Sequence, residues 1–117
     1  MADTMKISWW QWWPFQKWRI IGKVESADEI PDALPRNSAV LVGSAATPKW
    51  IAFDCPCRTG HRIMLNTDRI RLPHWRVDLS EPSRLTLSPS VDFRGDRRRC
   101  HYFVRAGKIV WAGDRDR

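Results

Sequence analysis

At 117 residues, with Lys and Arg outnumbering Asp and Glu by 20 to 13, the chain has room for one modest core and carries a formal charge of +7. Such a charge favours an acidic partner, whether nucleic acid, an anionic membrane or an acidic protein face, without choosing among them. No apolar run reaches the about 18 residues of a membrane span, the start lacks the blocks of a secretory leader, and three cysteines cannot all pair within one chain, so a cytoplasmic protein without a disulfide framework is expected.

In chain order, Met1 to Ile7 has no periodic pattern and reads as a loose terminus. The tryptophans Trp9, Trp10, Trp12 and Trp13 follow, and residues 1–15 together are taken as a flexible Trp-rich segment ahead of a single domain over 16–117. Indole rings with basic neighbours suit a membrane interface or a protein-docking surface, whereas Trp18 is better read as part of a small core. Lys17 to Val24 has enough β-formers for a first strand. Ser26 can cap a short helical turn through Asp28 and Glu29, but Pro31 and Pro35 stop a longer helix, so this stretch is a connector.

Val40–Gly43 reads as a buried strand and Trp50–Asp54 as another that runs directly into the cysteines. Arg58-Thr59-Gly60 can turn the chain so that His61–Leu65 returns beside it. Trp75–Leu79 alternates apolar and polar residues, Leu85–Ser88 is a further strand, and Phe93 to Arg99 is a charged loop around Gly95. His101–Arg105 and Ile109–Ala112 form a hairpin about Gly107. About seven short strands with almost no helical periodicity predict a mainly β domain: a sheet, sandwich or partial barrel, with room for a zinc-ribbon-like metal site.

Chemistry concentrates at three places. Cys55 and Cys57 flank a stiffening proline, and in an extended chain residues two apart point to one face, so both sulfurs can reach one ion. Cys100 and one of His61 and His101 complete a Cys3His set suited to zinc; the alternative is three small buried hydrophobes. Because adjacent strand residues face opposite sides, a Cys100 that turns to a metal leaves His101 pointing away and available for another task. Ser88 and Ser90 flank Pro89, a rigid turn that can fix a hydroxyl, with His61 or His101 as the base and Asp54, Asp92 or Asp96 to orient it; the alternative is an ordinary Ser-Pro turn. His74 reads as an exposed loop residue.

Cys55-Pro56-Cys57 with Gly60-His61, Leu87-Ser88-Pro89-Ser90, and His101-Tyr102-Phe103 followed by Val110-Trp111-Ala112 occur in an order that resembles a small bacterial family encoded beside ubiquitin-like conjugation genes. The resemblance covers about half the chain, Phe53 to Ala112. It implies a serine peptidase that trims a ubiquitin-like protein before conjugation and removes it from conjugates afterwards, in a setting of antiphage defence. Under it Ser90 is the nucleophile and His101 the base, with His61 as the alternative. The sequence departs from the family's pattern at Thr59, where relatives carry another cysteine, and in the contact of Cys100 with His101, since relatives place a cysteine a few residues earlier. Arg97, Arg98 and Arg99, with Trp12 and Trp13, are then expected to dock the partner, and no specific nucleic acid is expected. The competing function is a non-catalytic, zinc-stabilised binding module for a protein or nucleic acid.

Overall fold

The computed structural model describes residues 5–44, 48–95 and 99–112. Nine strands follow one another: β1 Arg19–Val24, β2 Ser38–Gly43, β3 Pro48–Asp54, β4 Arg62–Asn66, β5 Arg76–Val77, β6 Leu87–Ser88, β7 Val91–Arg94, β8 Arg99–Arg105 and β9 Lys108–Trp111. They form a four-stranded sheet in the order β1-β2-β3-β4, the two-stranded pair β5-β6 and a three-stranded sheet β7-β8-β9. The mainly β expectation holds, with β7 added where a loop had been read from Phe93 onward. Val91-Asp92-Phe93-Arg94 has strand alternation, with Val91 buried and Asp92 and Arg94 exposed, and its charges belong to the solvent side of that pattern.

β1 and β2 are parallel, which obliges the chain to cross back between them, and residues 25–37 make that crossing. Its 3-10 turn at Ala27–Glu29 is held by the Glu29 carboxylate, which accepts the backbone N–H groups of Glu25 and Ser26 at 3.0 Å each. β2 is buried along almost its whole length because both of its faces are covered. On one side Ala39 and Leu41 join Ile51, Phe53, Ile63 and Leu65 against Val91, Tyr102 and Val104 of the three-stranded sheet. Val40 and Val42 pack on the other side with Val24 and Leu34, covered by Met5, Ile7, Ile30 and Trp50. The chain is therefore docked on the sheet from Met5 onward, where the sequence reads as a loose terminus.

Trp18 is in the core, edge-on to Phe53 at 5.5 Å. Trp9–Trp12 form a single 3-10 turn whose rings, with Trp13 and Phe15, remain exposed. Buried Arg19 holds that turn by hydrogen bonds from its guanidinium to the side chain and carbonyl of Gln11. Three backbone bonds join distant parts of the chain: Trp18 N–H to Gly107, Gly107 N–H to Leu85, and Leu85 N–H to Trp18. Gly107 has φ +81°, and a Cβ there would lie 2.9 Å from Cβ of Lys17, so both the backbone and the space call for glycine.

Candidate catalytic pair and metal centre

The site is organised by alternation along β8. Cys100, Tyr102 and Val104 are buried, whereas His101 and Phe103 are only half-buried. Cys100 and His101 thus serve opposite faces of one strand, one toward the core and one outward.

On the outward face, Ser90 follows β6 and Pro89 and immediately precedes β7. Its Oγ lies 3.0 Å from Nε2 of His101, within hydrogen-bond distance. Ser88 ends β6 and is exposed. The Ser90 carbonyl accepts the indole N–H of Trp75 at 3.1 Å, which ties the serine to the segment entering β5. Asp92 is the cross-strand partner of His101. Its carboxylate takes two hydrogen bonds from Arg99, at 3.0 and 2.9 Å, and lies 3.5 Å from Arg94. The hydrogen bonds from Arg99 hold it near 2, below the ordinary carboxylate value of 3.8, with smaller contributions from the charges of Arg94 and His101. Asp54, the other described candidate for orienting a histidine, is paired with Arg62 at 2.8 Å; Asp96 lies outside the described residues.

Toward the core, Cys55, Cys57, His61 and Cys100 bring one ligand atom each to within 4.8 Å of one another. The sulfurs of Cys55 and Cys57 are not presented from an extended strand, as the Cys-Pro-Cys spacing suggests. β3 ends at Asp54, Pro56 and Cys57 form a turn closed by the Arg58 N–H on the Cys55 carbonyl at 3.0 Å, and Arg58 (φ 62°) and Gly60 (φ 92°) are left-handed. That turn curls the second sulfur back over the first. His61 Nε2 lies 3.5 Å from Sγ of Cys57, while its Nδ1 lies 3.1 Å from Oγ1 of Thr59 and its ring stacks on Phe93 at 4.3 Å.

Three sulfurs and an imidazole held from outside by a hydroxyl are the donor set of a tetrahedral zinc site. The cluster can hold a metal ion. Burial pushes the Cys55 thiol up to about 12, so without an ion it packs as a neutral group beside the Tyr102 hydroxyl, 3.8 Å away. Burial acts in the same sense on Cys57, but hydrogen bonds from the side chain and backbone of Thr59 outweigh it and leave that thiol below its ordinary value. Tyr102 is itself raised by burial, so it remains a neutral phenol in the core.

The two histidines have separate neighbours, His101 with Ser90 and His61 with the cysteines. Arg99 is joined to Asp92, whereas Arg97 and Arg98 lie outside the described residues. Trp12 and Trp13 are exposed, well apart in sequence from the serine. His74 is half-buried, with an Nδ1 that is enclosed and without a hydrogen-bond partner among the described residues, and so is not the exposed loop residue that its position after Pro73 suggests. Thr59 stands out in the sequence only as a departure from the family's cysteine pattern, and Trp75 only as a strand residue. Each acts through residues far along the chain or through its own turn, and nothing in their sequence neighbourhood announces it.

A family model described as bacterial ubiquitination-like system serine protease (BubE) matches residues 26–112. No curated protein and no solved structure matches the chain. Ser90, His101 and all four cluster residues fall inside the matched span, and the exposed tryptophans before Phe15 fall outside it.

Proposed function

This chain belongs to the family of bacterial ubiquitination-like system serine proteases, and on that premise we propose that it hydrolyses the bond after the C-terminal residue of a ubiquitin-like protein, both in its precursor and in its conjugates. The observation that carries the reading is the 3.0 Å contact between Ser90 Oγ and His101 Nε2. Ser90 attacks the carbonyl carbon while His101 takes the hydroxyl proton. The same proton then passes from the imidazolium to the departing amine as the C–N bond breaks, leaving an acyl ester on Ser90. Water, deprotonated by His101, releases the ubiquitin-like carboxylate and restores the serine. Asp92, ionised and opposite His101 on the neighbouring strand, favours the imidazolium that forms in each step.

The metal cluster supports this chemistry structurally. Cys55, Cys57 and His61 come from the turn between β3 and β4 and Cys100 from β8, so a zinc ion held by them would clamp the four-stranded sheet to the strand that carries His101. The arginine run at Arg97 to Arg99 and the rings of Trp12 and Trp13 would contribute to docking the folded body of the partner, in the cytoplasm. No helix among the described residues is long and apolar enough to cross a membrane. The test is cleavage of a ubiquitin-like fusion, followed by gel and mass spectrometry. Ser90→Ala should abolish turnover with the fold intact, whereas Ser88→Ala should lose little. Near wild-type turnover by Ser90→Ala would defeat the serine reading and favour a zinc-stabilised binding module.

A further inference from the structure

Two sheet edges lie beside the serine. β4 ends the four-stranded sheet and β7 ends the three-stranded one, and among the described residues neither has a strand on its far side. A cavity of about 280 Å³ separates them, lined by Arg62, Met64, Trp75, Val91, Asp92 and Phe93 among others.

The direction of the backbone groups follows from the ladders. His61 and Thr67 are bonded to β3, through Cys55 N–H to His61 and Thr67 N–H to Lys49. Antiparallel pairs alternate, so Ile63 and Leu65 also bond toward β3, while the N–H and C=O groups of Arg62, Met64 and Asn66 point the other way. The Asn66 carbonyl does so visibly, since it accepts the backbone N–H of Trp75 at 2.8 Å. On the second sheet the Ala112 N–H bonds to the His101 carbonyl, so His101 faces β9 and its neighbours Cys100 and Tyr102 face β7. Their register partners Phe93 and Val91 complete those bonds, which leaves the amide of Asp92 directed outward.

Arg62 and Met64 on one side and Asp92 on the other therefore aim backbone donors and acceptors into the same cavity. At one limit the His61 ring stacks on Phe93, and at the other Trp75 joins the end of β4 to Ser90. We propose that this cleft receives the C-terminal tail of the ubiquitin-like substrate as an extended strand of three or four residues, hydrogen-bonded to both edges, with its scissile carbonyl delivered to Ser90. The inference rests on the peptidase reading and adds to it how the substrate is held. Extended peptides join sheet edges through main-chain bonds. At about 3.3 Å per residue a short tail spans the open edge from Arg62 to Met64. The volume is too small for a folded element, which leaves the tail as the part of such a substrate that fits. The cavity is lined by Val91, which follows Ser90 in the chain, by Asp92, which lies opposite His101, and by Trp75, which bonds the Ser90 carbonyl, and this neighbourhood supplies the reason for an occupant here.

The experiment uses an octapeptide ending in the C-terminal residues of the ubiquitin-like protein that wild type cleaves, bound to full-length Ser90→Ala protein and followed by amide hydrogen exchange in NMR. Exchange at Arg62, Met64 and Asp92 should slow at least tenfold on saturation. N-methylation of the peptide at alternate positions should weaken binding by about tenfold or more, and at the intervening positions far less. Absence of binding, protection confined to other amides, or an N-methyl scan without alternation overturns the strand-addition inference even where Ser90→Ala is inactive. Full turnover by Ser90→Ala would instead strike the peptidase reading, while protection at the three amides would still establish the cleft.

Discussion

Removing the ion from the cysteine cluster should weaken the protein without unfolding it outright. Cys55 and Cys100 are 3% and 1% exposed, and with Cys55 held up to about 12 its thiol is neutral and the core accommodates it as a small apolar group. No charge is stranded at Cys55, and the core of Phe53, Leu85, Tyr102 and their neighbours remains. The loss is then the linkage free energy of the ion, about 4 kcal/mol when free metal exceeds its dissociation constant a thousandfold. At about 4 °C per kcal/mol for a domain of this size, chelation should lower the melting temperature by about 15 °C. The four ligand atoms need little movement to bind. They already lie within 4.8 Å of one another, and zinc–sulfur bonds of about 2.3 Å place tetrahedral ligands close to 3.8 Å apart. Elemental analysis should find one zinc per chain in protein purified without chelator, and differential scanning fluorimetry should give the shift. Metal-free protein from such a preparation, or a melting temperature moved by less than a degree when zinc is stripped, would refute the argument.

Ser90→Ala and His101→Ala should each reduce kcat/KM on the fusion by several orders of magnitude, and the double variant should be hardly worse than either, because the two groups act as one unit; additive losses in steady-state kinetics would contradict a shared step. Thr59→Val should weaken zinc binding about tenfold in a competition titration, since it removes the hydroxyl that orients His61 and lowers Cys57, and an unchanged affinity would mean the hydroxyl is incidental. Asp92 is depressed to about 2 in the folded protein from an ordinary value of 3.8, so its bond to Arg99 contributes fully above about pH 5 and is lost as pH falls through about 2. The melting-temperature difference between wild type and Asp92→Asn should therefore be flat above pH 5 and shrink toward pH 2, and it should correspond to no more than about 1 kcal/mol because the pair is partly exposed. Gly107→Ala should destabilise by about 1–3 kcal/mol in denaturant titration through its left-handed φ and the approach of Lys17.

Local patterning made much of this legible. The opposite facing of Cys100 and His101 follows from their adjacency on a strand, whereas Ser90, expected to be exposed just past Pro89, is half-buried. The strands of the large sheet were readable because Val40–Val42 and Trp50–Phe53 are dense in β-formers bounded by turn residues. What escaped depends on contacts between distant segments or on backbone dihedrals. The curl of Cys55–Cys57 requires a left-handed Arg58, a conformation that its residue type does not advertise. β7 was hidden by the charges of Asp92 and Arg94, although they lie only on its solvent side. The parallel pairing of β1 with β2 needs a partner beyond the connector, and the links from Trp75 to Ser90 and from Tyr102 to Cys55 are tertiary.

The triangle of bonds among Trp18, Leu85 and Gly107 also sets an order of events during synthesis. Trp18 is made long before Gly107, so its amide does not meet its native acceptor until the β8–β9 turn exists, although its carbonyl can already take the Leu85 N–H. Contacts so remote in sequence delay closure, so the four-stranded sheet can pair on the nascent chain before the junction of Trp18, Leu85 and Gly107 closes.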